Sequence, residues 1–233
     1  MKLSSLNKKQ IETIYQERMK IDFPPSELKP LSMIYDAIER GIYECLGLMD
    51  GTDIVGYAYL IRKGDDYLID YLAVCPDRRN AGLGSEMLRL LGEYLAEADS
   101  IIGEVENPEF AEDEADRKLQ TRRYGFYMRN GFRDSGVRVT CFGVPFILIE
   151  MGKNIHTEDE MRNLYEQHYR SVLSAERFAK HVIILVKYLM SPYDIKLKEQ
   201  IEKQCFLQKL SYKKNLEINE NTFISKLLEG NEL

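Results

Sequence analysis

The sequence is poor in histidine and cysteine and contains no long apolar run. Its three histidines show no metal-ligand spacing, so we expect no metal site. Its four cysteines form no C-x-x-C pair, which is typical of reduced structural thiols in a cytoplasmic protein. No apolar run approaches the ~20 residues of a membrane span, and Met1–Gln10 lacks the apolar region of a secretory signal. We therefore predict a cytoplasmic protein without a membrane partner.

The length of the chain limits the number of domains, and its net charge limits the kinds of partner. The chain has 233 residues, of which 44% are hydrophobic and 30% charged, so it can bury a full core. This length accommodates one ordinary domain with an appendage, or two small domains. The net charge of −6 argues against a broad nucleic-acid surface, and we predict no nucleic-acid partner.

One stretch, residues 67–95, predicts a strand, a short turn and a helix in succession. Residues 67–74 are apolar at nearly every position, which is typical of a strand buried on both faces. Pro76 ends this strand, because proline cannot continue a central ladder. From Leu83 to Leu95 apolar residues recur at three- and four-residue steps, which predicts an amphipathic helix.

The turn between them has the composition of a phosphate-binding loop. Gly82 and Gly84 allow close approach of the backbone to a ligand, and the helix start presents unpaired N–H groups. Arg78 and Arg79 add positive charge, so the turn favours a pyrophosphate. A dinucleotide-binding motif would place its first glycine directly after the strand, and a Walker motif would need Gly-Lys-Ser/Thr. An ordinary glycine-rich connection stays open as an alternative.

The sequence VCPDRRNAGLG at residues 74–84 resembles the acetyl-CoA signature of the GNAT N-acetyltransferase superfamily. In that signature an Arg or Gln, two residues, Gly, one residue, and Gly or Ala follow a strand ending in Val-x-Pro. The resemblance implies acetyl-CoA as cofactor, with main-chain groups of Leu72, Ala73 and Val74 pairing with its pantetheine arm. It further implies that the turn holds the diphosphate through Arg78, Arg79, Asn80, Ala81, Gly82, Leu83, Gly84 and Ser85.

The predicted order of elements is also that of the GNAT fold. The patterns predict two helices, three strands, a helix, a strand, a helix at residues 121–129 and two strands. The fold class implied is α/β (α+β), with a mixed, mostly antiparallel central sheet flanked by helices. We expect a bacterial-type GNAT domain at residues 1–152 and a C-terminal helical extension at residues 153–233.

A second motif supports the resemblance. Residues 126–132, FYMRNGF, resemble the FY-x-x-x-GF motif of the superfamily, which implies that Tyr127 lies beside the CoA sulfur as general acid. The alternative is a core tyrosine whose hydroxyl caps a strand. The chain departs from the family pattern at Gln120, where many members have asparagine, and in the acidic insertion at residues 107–118. That insertion either attracts a cationic amine or is a solvated loop.

The general base is predicted on the strand that follows the amphipathic helix. Glu104 and Glu106 point to the same face of this strand. Glu104 is the first choice because a similar strand supplies the base in enzymes that acetylate ribosomal-protein N-termini. Glu106 and Asp70 are the reserves. The alternative is that both glutamates only line a wet strand end.

The acceptor side is predicted from the connection between the first two helices, which covers the acceptor in many family members. Phe23 and Glu27 lie in this connection, and with Asp70 they are the predicted substrate-binding residues. A route through an acyl-cysteine at Cys75 lacks an activating histidine nearby. The resemblance thus implies acetyl transfer to a primary amine of a small molecule or peptide by direct attack.

The sequence leaves open an alternative function and the packing of the C-terminal tail. A GNAT-fold module that binds CoA or a partner without turnover is the alternative function, favoured by the long C-terminal tail. Within that tail, residues 161–169 and 172–186 predict apolar helical faces that dock on the domain itself or on a second copy, so a homodimer is possible.

Overall fold

A computed structural model describes residues 1–25, 27–79 and 81–185 of the chain. By its internal contacts the chain divides into two units, Met1–Ile184 and Leu185–Leu233. The second unit lies outside the described residues apart from its first residue. The predicted domain boundary after residue 152 stays a prediction.

The described strands form one eight-stranded sheet in the order β1-β2-β3-β4-β5-β7-β6-β8. Strands β4 and β5 run parallel, whereas the pairs β1–β2, β2–β3, β3–β4, β5–β7 and β6–β7 are antiparallel. This arrangement confirms the predicted mixed, mostly antiparallel sheet. The strands are β1 (Lys2–Ser5), β2 (Tyr43–Asp50), β3 (Asp53–Lys63), β4 (Asp66–Val74), β5 (Ser100–Glu106), β6 (Arg133–Cys141), β7 (Val144–Gly152) and β8 (Val182–Leu185).

Helices cover both faces of the sheet. They are α1 (Lys8–Ile14), α2 (Lys20–Asp22), α3 (Leu31–Glu39), α4 (Leu83–Tyr94), α5 (Glu114–Arg129), α6 (Glu158–Val172) and α7 (Ala175–His181). A π-helical segment, Tyr15–Met19, joins α1 to α2, and short 3₁₀ turns cover Pro76–Arg78 and Pro108–Phe110. Among the described helices, none has the length and apolar character needed to cross a bilayer.

The core has two layers, one on each face of the sheet. The first layer contains Ile11 of α1, Ile34 of α3 and Met161 of α6, packed on sheet residues that include Leu68 and Leu148. The second layer contains residues of α4, the end of α5 and the turn after α5, packed on the opposite sheet face: Met87, Leu88, Leu91, Tyr127 and Phe132 against Leu60, Ile69, Ile101 and Ile149. Alternation along each strand divides its side chains between the two layers.

Helix α6 uses its apolar face within its own chain. Met161, Tyr165 and Tyr169 are buried in the first core layer, where they pack on side chains of the sheet. The sequence predicted that this face packs on the domain itself or on a second copy of the chain. In the structure it packs on the domain itself. The predicted homodimer through the C-terminal helices stays a prediction, and residues from 186 onward lie outside the described residues.

Two predicted helices differ from the structure. The helix predicted through Val182 and Ile183 is wrong, because Val182–Leu185 forms strand β8. Consecutive β-branched side chains favour an extended backbone there. The helix predicted at residues 121–129 begins earlier, at Glu114, where the Asp113 side chain accepts a hydrogen bond from the Asp116 N–H. Part of the acidic insertion is therefore a helical first turn, in which carboxylates are favourable.

Candidate active site

An opening in the sheet separates β4 from β5. These strands pair only at Asp66↔Ser100, Tyr67↔Ile101 and Leu68↔Ile102. Strand β4 stays paired with β3 as far as Val74, and β5 stays paired with β7 as far as Glu106. Beyond residues 68 and 102 the two strands diverge, which leaves the β5-facing backbone edge of Leu72, Ala73 and Val74 without a strand partner.

A β-bulge lies at the start of this opening. Tyr59 of β3 is opposite Tyr71, and Leu60 is opposite Ile69, so Asp70 is the extra residue of β4. A bulge places two successive side chains toward one face. Asp70 and Tyr71 accordingly both contact Lys29, which lies in the connection before α3.

The turn after β4 leads into α4 with free main-chain donors. Gly82 is the N-cap of α4 with φ of 77°, a conformation that favours glycine, and no side chain caps this helix end. The first hydrogen bond within the helix runs from the Glu86 N–H to the Gly82 carbonyl at 3.1 Å. The N–H groups of Leu83, Gly84 and Ser85 therefore have no intrahelical partners, and they can bind an anion.

A groove of about 480 Å³ runs beside this end of α4. It is lined by α4 side chains that include Ser85 and Arg89, and by Asn130 at the end of α5. Gly84 faces the other way, where a Cβ atom would lie 3.1 Å from the Phe126 ring. This glycine lets α4 and α5 pack closely.

The two arginines of the turn are bound by carboxylates in this structure. Arg79 donates to the Asp22 carboxylate at 2.8 Å and to the Val74 carbonyl at 3.1 Å, whereas Arg78 lies 3.6 Å from Asp77 and 4.0 Å from Asp50. Both arginine side chains are half exposed. Asn80 lies outside the described residues, and Ala81 is exposed.

Tyr127 lies on α5 between two aromatic rings. Its ring packs edge-to-face against Phe126 and Phe132, at centroid distances of 5.3 and 5.4 Å. No hydrogen-bond partner of its hydroxyl is found among the described residues, which argues against the alternative that this hydroxyl caps a strand. Burial raises the pKa of Tyr127, and the nearby Arg123 opposes that rise. The hydroxyl therefore keeps its proton at neutral pH.

Glu104 lies on β5 beside the opening and is bound by two tyrosines of α6. The Tyr165 hydroxyl donates to Oε1 of Glu104, and the Tyr169 hydroxyl donates to Oε2 at 2.8 Å. Burial raises the pKa of Glu104, while the two tyrosine hydrogen bonds act in the opposite direction. The carboxylate is thus fixed in orientation at both oxygens.

The second glutamate of β5 has a different partner. Glu106 forms an ion pair with Arg123 of α5, and both side chains are partly exposed. The charges of Glu104 and Arg123 act on the carboxyl group of Glu27. Burial first, and then the neighbouring Glu104, raise the pKa of Glu27. Arg123 thus acts electrostatically on both Tyr127 and Glu27, and Glu104 acts on Glu27.

Asp70, the third predicted carboxylate, is closed off from solvent. Lys29 lies 2.5 Å from its Oδ1, and the Tyr43 hydroxyl donates to its Oδ2. The side chains of Asp70 and Lys29 are 3% and 7% exposed. Burial disfavours the charged form of Lys29, but the Asp70 carboxylate outweighs it and raises the pKa of the ammonium.

The connection between α2 and α3 is attached to Tyr71. The Tyr71 hydroxyl donates to the Glu27 carbonyl at 2.7 Å and accepts from the Lys29 N–H at 2.8 Å. The Phe23 ring packs edge-to-face on Tyr71 with centroids 4.8 Å apart. Phe23 and Glu27, the predicted acceptor residues, therefore lie beside the opening on one side of it.

Sequence reasoning missed three side chains of this cluster: Lys29, Tyr165 and Tyr169. Nothing in the sequence pairs Lys29 with Asp70, because the contact depends on the bulge in β4. The two tyrosines carried a signal, since both lie on the predicted apolar face of their helix, where a hydroxyl needs a partner.

Cysteine chemistry and metal binding find no support in the part of the chain that the structure describes. Cys75 donates to the Ile54 carbonyl at 3.4 Å, and burial raises the pKa of its thiol, which disfavours a nucleophilic thiolate. Across the described ranges, no three His, Cys, Asp or Glu side chains come together as a metal-binding group.

Comparison with known proteins agrees with this geometry. Residues 42–134 match the family model of the acetyltransferase (GNAT) domain. The chain contains a GNAT domain. This confirms the resemblance drawn from the signature at residues 74–84, and the match also includes β2 to α5 and both glutamates of β5.

Solved structures of GNAT proteins share the fold. A GNAT-family protein from Bacteroides thetaiotaomicron is 22% identical over 72% of this chain and 96% of its own, with a TM-score of 0.58. A chimera of the spermidine N-acetyltransferase SpeG from Vibrio cholerae and hSSAT is 11% identical over 65% of this chain and 94% of its own, with a TM-score of 0.51. The comparison with curated proteins gave no match.

Proposed function

We propose that the protein is an acetyl-CoA-dependent N-acetyltransferase that acetylates a primary amine by direct attack. The observation that carries this proposal is the position of the β4–β5 opening directly before the uncapped start of α4. A ligand with a diphosphate and an extended amide-containing arm matches both parts. The GNAT domain at residues 42–134 supports acetyl-CoA as that ligand.

The proposed cofactor site combines donors for a diphosphate with an unpaired strand edge for an amide-containing arm. The N–H groups of Leu83, Gly84 and Ser85 would hold the diphosphate, and the free backbone edge at Leu72–Val74 would pair with the pantetheine amides. Arg78 and Arg79, which lie beside this turn, would add positive charge. The other residues of the turn that are predicted to contact the diphosphate are Asn80, Ala81 and Gly82. Bound acetyl-CoA supplies the activated acetyl group.

The chemistry needs a proton donor for the leaving thiolate and an acceptor for the proton of the amine. Tyr127 fits the first role because its hydroxyl is protonated at neutral pH and has no partner among the described residues. Glu104 fits the second role because its carboxylate is held beside the opening, and its raised pKa makes it a better base. Glu106, bound to Arg123, is the second choice.

The acceptor is proposed to be a small-molecule or peptide amine that enters between α5 and the connection before α3. Phe23 and Glu27 would contact it, because Tyr71 holds both beside the opening. The Glu27 carboxylate would attract a positively charged amine. Asp70, predicted for the same role, is bound by Lys29 and Tyr43, so it would act on the acceptor only through this cluster.

The alternative function is a GNAT-fold module that binds CoA or a partner without turnover. The enzyme is the better supported of the two, because it gives a role to the protonated hydroxyl of Tyr127 and to the Glu104 carboxyl group that two tyrosines hold.

Incubation with acetyl-CoA and a panel of amines tests the proposal. The panel contains polyamines, amino acids, aminoglycosides and peptides with free N-termini, and release of CoA thiol is measured together with the mass of the acetylated product. The enzyme predicts thiol release that depends on one class of amine and is absent without amine. Tight CoA binding with no thiol release across the panel would favour the module. Sedimentation of the full chain tests the proposed homodimer, and cell fractionation tests the proposed cytoplasmic location.

A further inference from the structure

The proposed base, Glu104, is held by a helix that lies outside the matched GNAT domain. Helix α6 covers Glu158–Val172, whereas the family model matches residues 42–134. Both carboxylate oxygens of Glu104 accept a hydroxyl from this helix, one from Tyr165 and the other from Tyr169. A carboxylate bound at both oxygens cannot rotate away from its orientation without breaking a hydrogen bond.

The two tyrosines lie on one face of α6, so both can bind the same carboxylate. Tyr165 and Tyr169 are one helical turn apart, so they project from the same face, and their ring centroids are 4.8 Å apart. Both residues are buried, with 0% and 3% of their surface exposed. The capping box at Thr157 and the burial of Met161 fix the register of the helix on the sheet.

We infer that α6 belongs to the active site, and that Tyr165 and Tyr169 are positioning residues that orient the Glu104 carboxylate toward the acceptor amine. This inference rests on the proposed function, because it assigns a role within that reaction. Neither tyrosine touches the acceptor or the cofactor in it. Their two hydrogen bonds hold the Glu104 carboxylate on β5, where this strand diverges from β4.

The charges around Glu104 set the direction of the expected pH effect. Lys29 and Glu27 lie in the connection before α3, Asp70 lies on β4, and Cys141 lies on β6. Removal of a tyrosine hydroxyl leaves the hydrogen bonds of Lys29 and Asp70 in place, and it also removes the hydrogen bond between that hydroxyl and the Cys141 thiol. Hydroxyl donors stabilise the ionised carboxylate, so their loss raises the pKa of Glu104. The acidic limb of the pH–rate profile must then move to higher pH.

Tyr165→Phe and Tyr169→Phe test the inference, with Tyr59→Phe as matched control. Tyr59 is also fully buried in the same core layer, and its hydroxyl has no hydrogen-bond partner among the described residues. The first readout is kcat and KM against pH with the best amine. Each α6 variant should move the acidic limb upward by about 0.5–1 pH unit and lower kcat severalfold with KM unchanged. The control should keep the wild-type profile.

The second readout needs no turnover. The Glu104 carboxyl carbon is titrated by NMR in the protein without ligand, and its signal is assigned with Glu104→Gln. An upward pKa shift in both α6 variants, absent in Tyr59→Phe, supports the inference. An unchanged Glu104 titration and an unchanged acidic limb would overturn it. If no amine is acetylated by the wild-type protein, the proposed function fails and the NMR titration alone decides whether the tyrosines control Glu104.

Discussion

Asp22 and Arg79 form an ion pair that joins the end of α2 to the turn before α4. Nη2 of Arg79 lies 2.8 Å from Oδ1 of Asp22, whose side chain is only 3% exposed. Tyr57 and Arg18 also donate to Oδ2 of this carboxylate, at 2.9 and 3.4 Å. The arginine proposed to bind a diphosphate is therefore held in place by a buried group of the first helical segment.

Replacement of Arg79 should weaken both stability and cofactor binding. Arg79→Ala removes one of the three partners of a buried carboxylate. Because the guanidinium is half exposed and two partners remain, the expected loss is about 1 kcal/mol of the free energy of unfolding. Urea denaturation measures this loss, and calorimetric titration measures CoA binding.

Arg78→Ala is the control for this variant. Among the described residues, Arg78 pairs only with the carboxylates of Asp50 and Asp77, at 4.0 and 3.6 Å. Both carboxylates are half exposed or more, so the loss of Arg78 should leave stability nearly unchanged. An equal loss of unfolding free energy in the two variants would contradict a specific stabilising role of the Asp22–Arg79 ion pair.

Tyr127→Phe should lower turnover without loss of the fold. The hydroxyl has no partner among the described residues, so its removal should change the free energy of unfolding by less than about 0.5 kcal/mol. Loss of a general acid should lower kcat by about 10²-fold, with the Kd for CoA unchanged. Tyr124→Phe, on the same helix with its hydroxyl near Asp134, is the control. Wild-type kcat in Tyr127→Phe would remove this residue from the mechanism.

Lys29 and Asp70 should be strongly coupled in stability. Lys29→Met leaves the Asp70 carboxylate buried without its cation, and Asp70→Asn leaves a buried ammonium, so each should cost about 3–5 kcal/mol. The double variant should cost much less than the sum, because neither charge is then left unpaired. Chemical denaturation of all four proteins gives the coupling energy.

An exposed pair provides the comparison for that cycle. Lys153 and Glu97 lie 2.9 Å apart with side chains 52% and 96% exposed, and Lys153→Met should change stability by less than about 0.5 kcal/mol. Additive effects at Lys29 and Asp70 would contradict the buried ion pair.

Stability should fall at alkaline pH. Burial raises the pKa of a group of core tyrosines, namely Tyr43, Tyr57, Tyr59, Tyr71, Tyr165 and Tyr169. Above pH ~10 these hydroxyls stay protonated in the folded chain and ionise in the unfolded chain. The unfolded state then binds fewer protons, so stability decreases as pH rises, by about 1.4 kcal/mol per pH unit for each such tyrosine. Urea denaturation between pH 8 and 11 measures the slope, and a flat profile would contradict it.

The conformation of the glycine-rich turn and the helical position of the aromatic motif could be predicted from the sequence because both depend on local geometry. Gly82 adopts the left-handed conformation, and Tyr127 lies on α5 between two aromatic rings. The sheet class and most strands followed from alternation and apolar runs. Periodicity could not distinguish the short apolar run at Val182–Leu185 from a helix.

The contacts that bind the carboxylates could not be predicted in the same way. Lys29 reaches Asp70 across 41 positions of sequence, and Tyr169 reaches Glu104 across 65. Both contacts depend on how distant elements meet, and no local pattern encodes this. The start of α5 was missed because its first turn is acidic, although Asp113 is a good N-cap residue.

Calorimetric titration with CoA and with pantetheine tests the central claim most directly, because the two ligands differ by the diphosphate and the 3′-phosphoadenosine. The account predicts that CoA binds the wild-type protein at least 10-fold more tightly than pantetheine. It also predicts that Gly82→Val, which strains the turn at φ of 77°, removes most of that difference. Equal affinity for the two ligands, or full CoA affinity in Gly82→Val, would contradict it.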